Sequence, residues 1–526
     1  MKLDARQFSE GTTLDTDVCI VGAGPAGLVL AAELVGGQGD VIVLESGGDR
    51  PEPEILALND GVATGDVYSG LGPTRHRQVG GTSLLWNTPV AGATGAKWNT
   101  SVGGAVGAKW NTPVGGDVGA KYAPLDAADF EVRSGVEYSG WPFGLADLRQ
   151  DYDRAQHICA LGPPTYDAAT WTSARHKPWS ALGPNLVSRV YQLGAREALL
   201  APLRASLDSA TNVRLCTHAT AVMLQRDSAG RRVTTVSVAT PRGARWTVRA
   251  KRVVLAAGAV ENARLLLLSD DGRGALGNSG GWVGRGFMEH PRDRSLTLRP
   301  RSRELYSQSS FYDVTRAANG TWIVGRLALP DAALASGDVP NASATLIPKL
   351  RRAVQYAHAA LPSVAAQWLA NEGHGWSRTR GAARVFDGFT VLLNLEQSPH
   401  PGNRVTLSAQ RDSLGVPLPA LHWEWRADDH RRLARLRAMM SEALGAVGDV
   451  AVDTAARPDP NAHHHAGTTR MHDDPMRGVT DRHGRVHGAD NLFVAGASNF
   501  PTAGFANPVL TIVALTVRLA RYLGSM

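Results

Sequence analysis

The chain has 526 residues, which at roughly 100–200 residues per domain makes two or more packed units. A content of 43% hydrophobic and 20% charged residues excludes a disordered chain. The formal charge of +7 is carried by basic residues scattered along the sequence, so nucleic acid is not implied. Cys19, Cys159 and Cys216 are far apart and form no CxxC, so a disulfide framework, a zinc ribbon and a dithiol redox centre are not expected. The polar opening MKLDARQFSEGTTLDTD has no apolar core of a signal peptide. No run of 18 apolar residues offers a membrane span, and a cytoplasmic protein is expected.

Residues 17–21 read as a short strand. It runs into Gly22-Ala-Gly24-Pro-Ala-Gly27, a helical stretch over 28–34 and a second strand, Val41–Leu44, that ends in Glu45. This is the strand, GxGxxG, helix, strand, acid series of a dinucleotide site. Gly22 permits the tight turn, Gly24 lets the backbone approach a pyrophosphate, and Gly27 lets the helix lie close to the strand. The helix N-terminus offers N–H groups to phosphate. Glu45, 18 residues past Gly27, is placed to bond the ribose hydroxyls. Gly80-Gly81-Thr82-Ser83 adds a loop with backbone donors for a pyrophosphate or a flavin edge; the same residues also fit a plain helix cap.

Three gapless 12-residue units follow: WNTPVAGATGAK, WNTSVGGAVGAK and WNTPVGGDVGAK, spanning 86–121. The period is too short and too Gly-rich for a helical solenoid. A surface loop is one reading, and a lid in which Trp98 or Trp110 gates access is the other. Further on, 253–259 reads as a buried strand leading into a helix over 260–268. Residues 389–395 form a strand candidate, 350–376 a variable loop, and 428–444 an amphipathic helix with a solvated Arg-rich face. Residues 491–498 make another buried strand, closed by Gly496 and Ala497. A βαβ unit completed by strands from the middle and the far end of the chain favours FAD over a nicotinamide cofactor.

His463-His464-His465 are consecutive. In an extended segment alternate side chains point opposite ways, so the three do not all face one pocket, and His464 opposes its neighbours. An imidazole titrates near neutrality and accepts a proton from an alcohol. No HExxH-type spacing supports a metal, although His472, His483 and His487 are close in sequence. Asn507-Pro508 opens a final helix to about 522, with Asn507 suited to the N-cap.

Seven segments together resemble the glucose–methanol–choline (GMC) oxidoreductase family of shorter bacterial type: GAGPAG at 22–27, GGTS at 80–83, SGWPF at 139–143, VVLAAGAVENARLLL at 253–267, VGRGFMEHP at 283–291, HHAGTTRM at 464–471 and NLFVAGASNFPTAGFANPVLTIVAL at 491–515. The resemblance implies an α/β protein with an α+β second domain. A Rossmann-type FAD-binding domain would comprise 12–124, 186–290 and 456–526, with the repeat as an insertion. A substrate domain with an antiparallel sheet would comprise 125–185 and 291–455. It selects His464 as the catalytic base and Asn507 as its partner on the substrate oxygen. Glu396 to Val405 is similar to a segment of members that oxidise sugars and polyols. The expected reaction is oxidation of a CH–OH group by hydride transfer to flavin N5, with oxygen or another acceptor restoring the flavin. The final helix, if aimed at the flavin pyrimidine edge, would stabilise reduced flavin through its dipole. With no His or Cys at 78–121, FAD is expected to be non-covalent, and only His76 lies close to that stretch. A lyase that keeps FAD as a structural part is the alternative.

Overall fold

The structure, a computed structural model, describes residues 1–90, 118–174, 176–353, 356, 377 and 382–526. Most of the 86–121 repeat, including Trp98 and Trp110, and most of the 350–376 loop lie outside the described residues.

The centre of the first sheet, residues 18–21, Val41–Leu44, 253–255 and Leu492–Val494, is built from near-continuous apolar runs, the pattern of strands covered on both faces. Thr13–Val21 lies at its centre, with Val41–Leu44, Val213–Thr217 and Lys2–Asp4 to one side and Arg245–Leu255 to the other, all parallel. Leu492–Val494 joins parallel to the end of Arg245–Leu255, at 253–255. The start of that strand pairs antiparallel with Val233–Ala239, which pairs with Thr220–Arg226. Alternation sets the two faces. Val18 and Ile20 pack with residues of the helices Pro25–Glu33 and Val509–Gly524, whereas Cys19 and Val21 pack on the other side with Val253 and Leu255. The loops after Thr13–Val21, Arg245–Leu255 and Leu492–Val494 therefore emerge at one edge, where ligands bind in open α/β sheets.

The second sheet is antiparallel. Its order runs Gly448–Val452, Arg292–Pro300, Phe386–Leu395, Ala342–Leu350, Trp322–Ala328, Val187–Ala195, Val118–Tyr122 and Thr88–Pro89. Val187–Ala195, Val118–Tyr122 and Thr88–Pro89 thus belong to this sheet, although the resemblance groups them with the nucleotide segments 186–290 and 12–124. Their own composition does not decide between sheets; pairing with Trp322–Ala328 does. The helix Ala427–Leu444 also departs from expectation, because Arg432 and Arg437 turn inward. Arg432 donates to the Val339 carbonyl and Arg437 to Asp293. Among the described residues no helix is long and apolar enough to cross a membrane.

Arg133 and Glu396 form a charge pair with both side chains fully buried. Glu396 also accepts from the Asn341 N–H. A buried pair broken on one side leaves an uncompensated charge. Arg133→Met is therefore expected to cost about 3–5 kcal/mol of stability, read as a lowered denaturation midpoint, with Glu396→Gln/Arg133→Met recovering part of the loss.

Candidate active site

The glycine loop forms as its residue types dictate. The helix Pro25–Glu33 starts with Pro at its first position and Gly24 as an N-cap without a side-chain hydrogen bond, so its first N–H groups are left for a ligand. Gly80 and Gly81 both have positive φ, and a Cβ on Gly81 would stand 2.9 Å from the Gly24 Cα. The two glycine loops are thus packed backbone to backbone, which only glycine at 81 allows. Glu45 is buried and accepts from the N–H groups of Ala23 and Gly47, both at 2.9 Å. It ties the loop to the second strand and, with two lone pairs per oxygen, retains acceptor capacity for a ribose hydroxyl. Burial raises its pKa against the opposing hydrogen bonds.

One cleft is lined by Gly22, Gly24, Glu45, Gly81, Thr82, Ser83, Gly496 and Ala497 together with His464 and Asn507. Gly27 and Gly80 do not line it. Ser83 is buried and donates to the Gly80 carbonyl. Its neighbours form a short 3-10 turn, with no side-chain cap. Uncapped helix ends, a backbone cradle and a carboxylate at the end of the second strand suit a dinucleotide. His76 also lines the cleft, with its Nε2 against Gln78.

Sequence reasoning missed two parts of the site. Arg75, Arg77 and Arg264 converge on Glu261 along the cleft wall. Burial opposes ionisation of Glu261, but the three guanidiniums hold it well below the usual carboxylate range. The second is Glu289-His290, visible in sequence only as part of the motif at 283–291. The Glu289 carboxylate accepts from Tyr68 at 2.6 Å and from the His464 N–H at 2.9 Å, and stands 3.2 Å from His465 Nε2. Burial alone would raise its pKa, yet the hydrogen bonds from His465, Tyr68 and His464 lower it.

The three histidines all line the cleft, contrary to the alternation expected of an extended segment. His463 has φ +60°, a left-handed residue that breaks the period of two. Glu289, His463 and His465 hold ligand-type atoms within 4.8 Å of one another, but the Glu289 oxygens are already occupied by protein donors. His472 and His487 are joined instead, through a ring-to-carbonyl hydrogen bond, and His483 stacks on Tyr522.

His464 Nδ1 lies 3.0 Å from His290 Nδ1, and His290 Nε2 lies 3.1 Å from the Ala503 carbonyl oxygen. A carbonyl only accepts, so His290 carries its proton on Nε2, and its Nδ1 then accepts from His464. This chain leaves His464 Nε2 unprotonated. Burial first, then repulsion from His290, Arg292, His463 and Lys121, pushes the His464 imidazole well below the usual histidine range. Burial likewise lowers His290. Asn507 is not the cap of the final helix: Val509–Gly524 begins after Pro508 without a side-chain cap. Among the described residues the Asn507 amide has no hydrogen-bond partner, and it lines the cleft.

A GMC oxidoreductase family model matches residues 399–516, and an FAD binding domain model matches 87–278. Together with the relatives below, these matches liken the chain to the GMC oxidoreductase family. The chain is an FAD-dependent oxidoreductase of alcohol donors. It is 28% identical to paromamine 6'-oxidase of Streptomyces fradiae, over 96% of this chain and 90% of that protein. It is 26% identical to the fructose dehydrogenase large subunit of Gluconobacter japonicus, over 57% of this chain and 52% of that one. The crystal structure of pyridoxine 4-oxidase from Mesorbium loti shares the GMC fold, with a TM-score of 0.51, 18% identity, and 97% of this chain and 99% of that chain covered.

Proposed function

We propose that this FAD-dependent oxidoreductase oxidises a hydroxyl of a sugar or another polyol to a carbonyl, with His464 as the base and Asn507 as a ligand of the substrate oxygen. The observation that carries this reading is the Ala503–His290–His464 hydrogen-bond chain, which presents an unprotonated Nε2 beside the cleft. Relatives whose names denote sugar and aminosugar oxidation support the substrate class.

His464, neutral, takes the hydroxyl proton on Nε2. The charge that develops on the ring is spread through Nδ1–H to His290. The Asn507 amide, with no competing partner among the described residues, holds the oxygen as it loses its proton. The Glu289 carboxylate fixes the backbone of His464 through its N–H. FAD, when bound in the glycine cradle, supplies the hydride acceptor at N5. General-base assistance of this kind contributes roughly 10²–10⁴-fold.

Anaerobic addition of sugars and polyols to the yellow holoenzyme is expected to bleach the flavin; a flavin that no alcohol reduces, in a protein with lyase activity, overturns the reading. The pH dependence has a definite sign. The base works when neutral, so reduction is retained above the folded pKa of His464 and lost as pH falls through it. That pKa lies below 6.5, so the rate of flavin reduction is expected to hold as pH is lowered through 6.5 and to fall only at more acid pH.

A further inference from the structure

His463 lines the cleft beside the proposed base, and no step of the mechanism uses it. Among the described residues four that are not glycine hold a positive φ, and His463, at +60°, is the one of them that lines the cleft. A left-handed backbone at a residue with a side chain is strained, and such strain persists where the surroundings over-determine it, most often at functional sites. Here it breaks the alternation of the extended segment, so that His463 lines the same cleft as His464. The ring is also unpaired. Among the described residues neither of its nitrogens has a hydrogen-bond partner, and Nδ1 is shut off from the surface as well. The other histidines that line the cleft are engaged: His464 with His290, His465 with Tyr68 and Glu289, and His76 with Gln78.

A polar atom withdrawn from water is normally satisfied, and one left over beside a reacting centre calls for a partner. A metal ion fits poorly. Glu289, His463 and His465 hold ligand-type atoms within 4.8 Å of one another, but the Glu289 oxygens accept from Tyr68 and the His464 N–H, and His465 Nε2 faces the Tyr68 hydroxyl at 2.8 Å. Cofactor phosphate falls to the glycine loops, whereas His463 adjoins the residue that takes the substrate proton. Burial lowers the His463 pKa, against the attraction of Glu289 and with the help of His465 and Arg292. The ring is therefore neutral near pH 7, with one N–H donor and one acceptor nitrogen.

We propose that His463 determines substrate specificity by holding a second hydroxyl of the polyol, next to the one from which His464 takes the proton. This inference deepens the proposed function and rests on alcohol binding beside His464. A neutral imidazole and a hydroxyl each offer a donor and an acceptor, so the pair needs no counter-charge. An alcohol with a single hydroxyl leaves the ring unpaired in the complex. A site built to hydrogen-bond a hydroxyl discriminates against the analogue that lacks it for this reason.

The test compares glucose, its single-deoxy derivatives and 1-propanol on the holoenzymes of the wild type and of His463→Gly. Glycine accepts φ +60° without strain, so this variant deletes the ring and spares the backbone. Binding is read from perturbation of the flavin spectrum and turnover from anaerobic bleaching. Glucose is expected to bind roughly three- to ten-fold more weakly to His463→Gly, the worth of one neutral hydrogen bond, with the loss in KM rather than in the saturating rate. One deoxy derivative, lacking the hydroxyl that His463 holds, is expected to bind the wild type more weakly by a similar factor and to lose nothing further in His463→Gly. The effect on 1-propanol is expected to be far smaller than on glucose. His463→Asn, which tolerates the left-handed backbone and keeps a donor and an acceptor, is expected to recover part of the loss. Equal losses for glucose, 1-propanol and every deoxy derivative, or no perturbation of the flavin by any sugar, overturns the proposal. So does a shifted flavin spectrum in ligand-free His463→Gly with unchanged glucose binding, which would assign the ring to the cofactor. Sugar binding that depends on His463 without bleaching by any of these alcohols would leave the hydroxyl site standing and remove the reading of His464 as base.

Discussion

His464→Ala is expected to retain yellow FAD while slowing alcohol-driven flavin reduction by roughly 10²–10⁴-fold. The proposed cofactor cradle comprises Gly22 to Gly27, Gly80, Gly81 and Glu45, and none of these hydrogen-bonds to the His464 ring. Loss of the ring therefore removes a proton acceptor and leaves the binding site. The arrangement also separates the proposed base from its support. His290→Phe deletes the acceptor for His464 Nδ1–H and keeps the volume, so the tautomer is no longer fixed. That variant should lose less than His464→Ala, and its acid limb should move with the altered His464 environment. Stopped-flow reduction at saturating alcohol separates the two, because a change in chemistry appears there whatever the oxidant. Near-normal reduction by His464→Ala would take His464 out of the mechanism.

What the sequence made legible follows a physical line. The nucleotide end is local: strand, turn, helix and acid lie within residues 13–45, and each glycine has a reason that can be stated without a structure. The ends of the distant strands, 253–255 and 492–494, were readable because a strand buried on both faces has no polar alternation, whereas the alternating start of the first, 245–252, was not read. The catalytic end is non-local. Tyr68, Glu289, His290 and His465 meet only in three dimensions, and no spacing rule joins residues separated by 221 positions, as Tyr68 and Glu289 are. A single left-handed residue, His463, was enough to defeat the alternation argument for its neighbours. Residue type alone leaves Asn507 as either a helix cap or a ligand of the substrate oxygen; the helix start after Pro508 removes only the cap reading. Glu396 and Gln397, in the segment similar to sugar-oxidising members, are fully buried and bound to Arg133, Trp423 and the Glu289 N–H. Neither residue lines the cleft.

Gly27→Ala is expected to abolish tight FAD binding and to destabilise the protein by about 1–3 kcal/mol, the usual cost of overpacking a filled interior. A Cβ at 27 would fall well inside contact distance of the Gly22 carbonyl oxygen, with the Ile20 side chain also nearby. The obstacle is backbone, so no rotamer relieves it. The helix Pro25–Glu33 would have to lift from the strand, and Leu28, Val29 and Leu30, all fully buried, would lose their packing with it. Gly24→Ala makes the contrast. Its φ of −76° suits any residue, and the nearest atom to a Cβ there is the Gly81 Cα at 4.0 Å. Its fold should survive, and only the approach of phosphate to the loop should suffer. Thermal unfolding of the apoprotein is thus expected to drop for Gly27→Ala alone, while FAD affinity falls for both. Wild-type FAD affinity in Gly27→Ala would show that this loop does not hold the cofactor, since a helix displaced from the strand cannot present the same N–H groups to a pyrophosphate.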